Sequence, residues 1–353
     1  MYGDEDIRGD CLLTNVKKPS LSLLELLDQA EPLKSPVAML VFSTGVERYI
    51  HAHRPKDFPR ASTRGHFDVC RLRRTPFPPE GKLASIAGVS RDTYIEGDHT
   101  RRDYDVEGIV PGLNDESPPE VMVFVHGWLA DLETALGRMS LMRYVLRRNG
   151  YPYPVVGFTW DSRQSTVEWR TGKTLGVWNG PKLAEFIEDL RERSPETSVR
   201  LLSNSLGAHP LFEALHTLHE DDVTDAVETA SVLGGSVTRA SVGGDGRYAD
   251  AVRHAVEDVY NYWTPHDDTL GRYYSLVERT AALGTGAPSD APPNLHDRGV
   301  LHVPDHFSFY LPGRGCVHDV VDDLGLTERE RSQAETAAEH EALHKFQRIE
   351  VDD

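Results

Sequence analysis

The chain has 353 residues, of which 39% are hydrophobic, and it carries 38 Lys and Arg against 56 Asp and Glu for a formal net charge of −18. That composition belongs to a globular protein and excludes a disordered one. No apolar run approaches the ~18 residues needed to cross a bilayer, and Met1 to Asp10 is acidic where a secretion signal would be basic, so a cytoplasmic protein is expected.

The charge is unevenly made. Only eight of the basic residues are lysine and thirty are arginine. Acid excess with scarce lysine suggests a surface suited to high salt, where charges are screened within a few Å and self-repulsion costs little. Residues 48–74 run against the trend with a local charge of +6, from Arg48, Arg54, Lys56, Arg60, Arg64, Arg71, Arg73 and Arg74 against Asp57 and Asp68. The remainder would repel a polyanion at ordinary salt, so nucleic acid is not an expected partner, and pairing with acids of the same chain is. Cys11, Cys70 and Cys316 are too few and too scattered for a disulfide framework or a zinc cluster.

In chain order, residues 1–35 form an acidic N-terminal segment in which Ser22-x-x-Glu25 reads as a capping box opening a short helix. Residues 36–118 are rich in Arg and Pro. Pro36–Ser43 and Phe67–Leu72 read there as strands, either leading antiparallel strands of a larger sheet or a small subdomain. Residues 119–315 are regular: apolar runs at Val121–Val125, Pro154–Thr159, Val199–Ser203, Thr229–Leu233, Val259–Trp263 and Val300–Val303 alternate with helical segments. Continuous apolar strands separated by crossover helices predict a parallel sheet covered on both faces. Asp131 to Asn149 repeats apolar residues near a 3.6 period and stops at Gly150. Asn179-Gly-Pro-Lys182 predicts a cap and an early proline ahead of Leu183, Phe186, Ile187 and Leu190. Asp161 to Gly180 then reads as a loop or short lid. Residues 316–353 predict a polar helix, started by a capping box at Thr327-x-x-Glu330.

One junction carries chemistry. An apolar strand runs into Ser203-Asn-Ser-Leu-Gly207 and a helix begins at once. A sharp strand-to-helix turn exposes its central side chain beside free helix amides, which places Ser205 as a nucleophile. Ser203 stands where a glycine is usual, at a site that demands a small side chain. Upstream, a strand ends in His126-Gly127-Trp128, where Gly127 lets the chain turn so that the Trp128 N–H can meet an oxyanion; its partner donor would be the N–H of Leu206. Gly207 supports the close approach, and His126 reads as a structural residue beside this loop. Past the next strands stand Asp267 and Asp268, and then His306 after the last one. Nucleophile, carboxylate and histidine in successive loops are what an acyl-transfer triad needs. His209, in the first turn after the serine, reads as a packing or hydrogen-bonding residue. The five tryptophans, Trp128, Trp160, Trp169, Trp178 and Trp263, could line an apolar acyl site or fill the core.

Over about residues 119–312 these motifs resemble the α/β-hydrolase family: Phe124-Val-His-Gly-Trp128, Phe158-Thr-Trp-Asp161, Asn204-Ser-Leu-Gly207, Asp267-Asp-Thr-Leu270 and Asp305-His-Phe307. The branch it is similar to comprises little-characterised serine hydrolases with a strand ending F-x-W after the oxyanion strand. The resemblance implies an α/β-hydrolase fold, with a mostly parallel twisted sheet of about eight strands and helices on both faces. It also implies hydrolysis through an acyl-enzyme, with no cofactor and no metal. Mapped by motif, it makes Ser205 the nucleophile, Asp267 the acid (with Asp268 second) and His306 the base (with His302 second). The expected activity is hydrolysis of a small carboxylic ester, with thioester and amide open. The alternative is a hydrolase-like binding or assembly module, since fold does not fix function. Oligomeric state is not encoded in these motifs. Two rival motifs carry less. His340-Glu-Ala-Leu-His344 matches the helical zinc-protease pattern, but its flanks (Glu335, Glu339, Lys345) read as a solvated helix face. Gly172-Lys-Thr lacks the glycine and the strand of a phosphate loop.

Overall fold

Strands made mostly of apolar residues can be buried on both sides, and β5 (Glu120–Val125) and β6 (Val155–Thr159) are buried along their whole length. The computed structural model describes residues 58–71, 93–162 and 168–332. Within them, β1 (Arg60–Ser62), β4 (Asp105–Glu107), β5, β6, β7 (Ser198–Asn204), β8 (Val227–Leu233), β9 (Val256–Trp263) and β10 (Leu295–Gly299) form one sheet in the order β10-β9-β8-β7-β5-β6-β1-β4. Every neighbouring pair is parallel except β1 and β4. β2 (Asp68–Arg71) and β3 (Thr93–Glu96) make a separate antiparallel ribbon. Within the described part of the Arg/Pro-rich segment, β1 and β4 extend the main sheet, β1 parallel to β6 and antiparallel to β4, while β2 and β3 pair outside it. Two of its arginines meet acids, Arg60 with Glu107 and Arg64 with Asp161.

Alternation along the strands sorts the helices onto two faces. Val121, Val123 and Val125 share a core with Val156, Phe158 and Leu201, and with helices α2 (Trp169–Arg193) and α3 (Ala208–Glu220). On the other face Met139 of helix α1 (Leu132–Arg148) lies over Gly157, in a space a side chain there would fill. Helix α4 (Val317–Asp323) packs beside α1. α1 has the expected bounds because Asp131 caps it, its carboxylate accepting the Thr134 N–H at 2.8 Å, and Asn149 ends it. The Thr327–Glu330 capping box also forms: Glu330 accepts the Thr327 N–H at 2.7 Å and the Thr327 hydroxyl accepts the Glu330 N–H at 3.3 Å.

Two expectations are corrected. Val300–Val303 is a turn, and the last strand is the preceding Leu295–Gly299. As an edge strand it can be polar, and its charged side chains are used: His296 meets Asp258 at 2.6 Å and Arg298 meets Asp323 at 2.9 Å. Val300 and Val303 are apolar because the turn buries them. Likewise, Asn179-Gly-Pro does not start a helix and the stretch ahead of it is no loop from Trp169 onward: α2 begins at Trp169 and runs through Pro181. An interior proline costs about 3 kcal/mol, which burial of Leu175, Leu183, Phe186, Ile187 and Leu190 on one face offsets. The helix expected near residues 20–30, the Pro36–Ser43 strand and the His340–His344 motif lie outside the described residues.

Gly176 and Gly180, one turn apart on α2, explain why this helix sits so close to α3. A Cβ on Gly176 would lie 3.0 Å from the His209 Cβ, and one on Gly180 would collide with the Glu213 side chain, 2.6 Å from its Cγ. Gly180→Ala gains up to about 1 kcal/mol of helix propensity but forces the helices apart at a cost of about 1–3 kcal/mol. A net loss of stability by urea unfolding is expected; a stabilised variant would show that the two helices separate freely.

Candidate active site

In a parallel sheet the loops after successive strands gather at one edge, and that edge is where ligands bind in open α/β sheets. Here β5 ends at His126-Gly127-Trp128, β7 at Ser205, β9 just before Asp267 and β10 before His306. Asn204 is still extended, Ser205 has φ +55°, and a 3-10 turn over Ser205–Gly207 leads into α3. The left-handed conformation costs a residue with a Cβ about 1–2 kcal/mol. It also lifts the side chain out of the sheet: Ser205 is half-buried where its neighbours on both sides are buried.

The structure brings three predicted residues into one chain of hydrogen bonds. His306 Nε2 lies 2.8 Å from Ser205 Oγ, and His306 Nδ1 lies 2.6 Å from Asp267 Oδ2. An ionised carboxylate only accepts, so Nδ1 carries the proton and Nε2 is left to accept from the serine hydroxyl. Asp267 is fully buried, and its other oxygen accepts the Leu270 N–H at 2.8 Å, which fixes the carboxylate plane. The Thr264 hydroxyl donates to the Val303 carbonyl at 2.9 Å and ties the aspartate loop to the histidine loop. Asp268 and His302 do not join this chain. Asp268 is 73% exposed and pairs with Arg272 at 3.0 Å, and His302 faces the Gly315 carbonyl and Asp319.

The loop after β5 is locked to the turn after β7. A Cβ on Gly207 would lie 2.5 Å from the Val125 carbonyl oxygen and 2.8 Å from that of His126, and one on Gly127 would lie 2.9 Å from the Asn204 carbonyl oxygen. Three residues that the motifs did not single out hold this loop. The Ser162 hydroxyl donates to the Gly127 carbonyl at 3.0 Å, the Ser162 carbonyl accepts the Leu129 N–H at 2.9 Å, and Arg138 donates to the Trp128 carbonyl at 2.8 Å. Arg64 donates to the Ala130 carbonyl at 3.3 Å. Because the Gly127 carbonyl is turned toward Ser162, the Trp128 N–H of the same trans peptide points the opposite way. Ser162, Arg138 and Arg64 lie far along the chain from each other or from the loop, and nothing in local sequence marks them.

His126 is buried beside the loop after β5. Its Nδ1 donates to the Gly127 carbonyl at 2.9 Å, its Nε2 accepts the Trp160 N–H at 3.3 Å, and its ring stacks on Trp160. Burial, with Arg64 nearby, pushes its pKa well below the usual histidine range. His209 is packed against α2, and burial, with Lys173 adding to it, lowers its pKa to about 3. The five tryptophans divide. Trp160, Trp178 and Trp263 pack or hydrogen-bond away from Ser205, Trp178 on Phe67 and Trp263 on Asp297. Trp128 meets Trp169 edge-on at 5.3 Å, and Trp169 meets Tyr273 and Tyr274. Beneath this aromatic group Glu278 accepts from Trp169 Nε1 and Lys173 Nζ, each at 2.7 Å. Burial alone would raise the Glu278 pKa, but those two bonds hold it below the usual carboxylate range.

A mostly parallel sheet with this strand order and a strand-turn-helix serine at its carboxyl edge is an α/β-hydrolase fold. Residues 106–240 match the family described as "Alpha/beta hydrolase of unknown function (DUF900)". The resemblance carried by the sequence motifs is thus met. No curated protein matches the chain. Among solved structures, an acetyl xylan esterase is 14% identical over 62% of this chain and 97% of its own, with a TM-score of 0.33. A cutinase-like protein from Cryptococcus sp. is 11% identical over 62% of this chain and 88% of its own, with a TM-score of 0.29. A mutant of LAE6, an alpha/beta hydrolase enzyme from the metagenome of Lake Arreo, Spain, is 10% identical over 91% of this chain and 96% of its own, with a TM-score of 0.28. Likenesses this distant bear on neither substrate nor mechanism. Among the described residues no helix is long and apolar enough to cross a membrane.

Two buried histidines, His126 and His209, set an acid limit. His126 and His209 stay neutral when folded, whereas an unfolded histidine titrates near ~6.5. Below that pH the unfolded chain binds protons that the native chain does not, so stability falls with pH, by up to about 1.4 kcal/mol per unit for each group. The urea midpoint should therefore drop between pH 7 and pH 5, and the drop should be smaller in His209→Asn. Equal drops in both proteins would remove His209 from the account.

Proposed function

We propose that the protein is a serine hydrolase that cleaves a small carboxylic ester through an acyl-enzyme intermediate. The observation that carries this reading is the unbroken Ser205–His306–Asp267 chain, 2.8 and 2.6 Å long at its two links, on a serine held at φ +55°. In the first half-reaction Ser205 Oγ attacks the ester carbonyl carbon while His306 Nε2 takes its proton. Asp267 stabilises the resulting imidazolium. The N–H groups of Trp128, in the loop after β5, and Leu206, in the turn after β7, receive the developing oxyanion. Collapse of the tetrahedral intermediate expels the alcohol, which leaves with the proton from His306. Water, deprotonated by the same imidazole, then attacks the acyl-serine and frees the carboxylic acid. The edge-on Trp128 and Trp169 offer an apolar wall to the acyl group. Thioesters and amides would follow the same path, since the triad does not choose the leaving group. The acidic, lysine-poor composition supports an enzyme working at high salt.

A fluorophosphonate probe applied in high salt should label the wild type and leave Ser205→Ala unlabelled. Equal labelling of the two, or none of either, sinks the enzyme reading in favour of a hydrolase-like binding module. With p-nitrophenyl esters, Asp267→Asn should lose about 10⁴-fold in kcat because the imidazole is no longer held in the required tautomer. Asp268→Asn, at an exposed ion pair, should stay within about twofold of wild type. The reverse result would move the acid to Asp268.

A further inference from the structure

His302, left aside by the hydrogen-bonded chain at Ser205, belongs to a second cluster. It sits in the turn after β10, opposite His318 and Asp319 in the first turn of α4. The Asp319 Oδ2 atom is buried and accepts no hydrogen bond, although a buried carboxylate oxygen requires a positive or protic partner. Two imidazole nitrogens flank it, His318 Nε2 at 3.3 Å and His302 Nε2 at 3.7 Å, and the three donor atoms all lie within 4.8 Å of one another. Charge-assisted hydrogen bonds would close to about 2.7–2.9 Å, and neither nitrogen does so. The edge of a tetrahedron of nitrogen and oxygen ligands around zinc is about 3.3 Å, from metal–ligand bonds near ~2.0 Å.

We propose that His302 Nε2, His318 Nε2 and Asp319 Oδ2 form a binding site for one divalent transition-metal ion, Zn²⁺ by the character of the donors. Imidazole nitrogen with a carboxylate oxygen suits zinc and its borderline neighbours and does not suit the hard ions that demand oxygen alone. The Gly315 carbonyl oxygen, 3.3 Å from the same His302 nitrogen, stands beside the cluster as a fourth polar atom. The side chains are partly exposed, with His302 at 47%, so an ion can enter from solvent without unfolding. The ion would join the turn after β10 to α4 at a point four residues before His306. It takes no part in the reaction proposed for Ser205, and the site stands or falls separately from that reaction.

The test is equilibrium competition of the full chain with a chromophoric zinc indicator, in a His340→Ala/His344→Ala background that removes the unrelated H-E-x-x-H pair. One Zn²⁺ per chain is expected to bind at submillimolar concentration. His302→Ala, His318→Ala and the shape-conserving Asp319→Asn should each weaken it at least about tenfold, and Ser205→Ala should bind like its parent. Zn²⁺ should also raise the melting temperature of the parent and of Ser205→Ala, but not that of the three ligand variants, whose metal-free melting should match the parent's. Absence of zinc binding in the parent, or ligand variants that bind as the parent does, overturns the site.

Discussion

The carbonyls of Val125 and His126 approach Gly207 so closely that no Cβ fits between them, and the carbonyl of Asn204 does the same to Gly127. This mutual contact of two backbones, one leaving β5 and one leaving β7, fixes the geometry on which the rest of the edge depends. It holds Ser205 in a conformation that an unconstrained serine would leave. Two further bonds close the other side: Asn204 Nδ2 donates to the Leu233 carbonyl at 3.2 Å, and the Ser236 N–H donates to the Ser205 carbonyl at 3.2 Å. The strained residue is thereby braced from both β5 and β8, the two strands adjacent to its own. Strain of a kcal/mol or two is small beside the burial of the surrounding strands, so the fold can sustain it.

A second layer of constraint orders the partners of Ser205. Asp267 spends one oxygen on the imidazole and the other on the Leu270 amide, so its plane is set before any substrate arrives. On the opposite side Ser162 and Arg138 occupy the carbonyls of Gly127 and Trp128. Both devices act on backbone orientation, and neither requires a particular side chain at the substrate.

The sheet and the serine turn were legible because each is written locally. Five apolar runs from Val121 to Trp263 can only be strands buried on both faces, and a small-residue turn between strand and helix has few uses. Two signals misled, each for a physical reason. At the sheet edge a strand need not be apolar, so the hydropathy pattern favours the apolar turn Val300–Val303 over the polar strand Leu295–Gly299. Inside α2, Pro181 after Asn179-Gly looked like a helix start, when burial along a 25-residue helix outweighed the ring's penalty. The glycines at 176 and 180 carried the better signal, since their spacing of one turn marks a face pressed against another helix. Ser162, Arg138 and Arg64 were not legible at all, because what they do depends on where the backbone brings them.

The polar edge strand has a consequence for how the molecule comes apart. β7, which carries the serine, is hydrogen-bonded on both sides near the middle of the sheet, whereas β10 is five residues long and paired on one side only among the described residues. Free energies of opening follow such differences, lowest at short, solvated edges and approaching the global value in central strands. Amide protons of residues 295–306 should therefore exchange with solvent long before those of 198–204. The segment that carries His306 can thus detach while the central strands stay folded, so local opening at this edge need not wait for the sheet to melt.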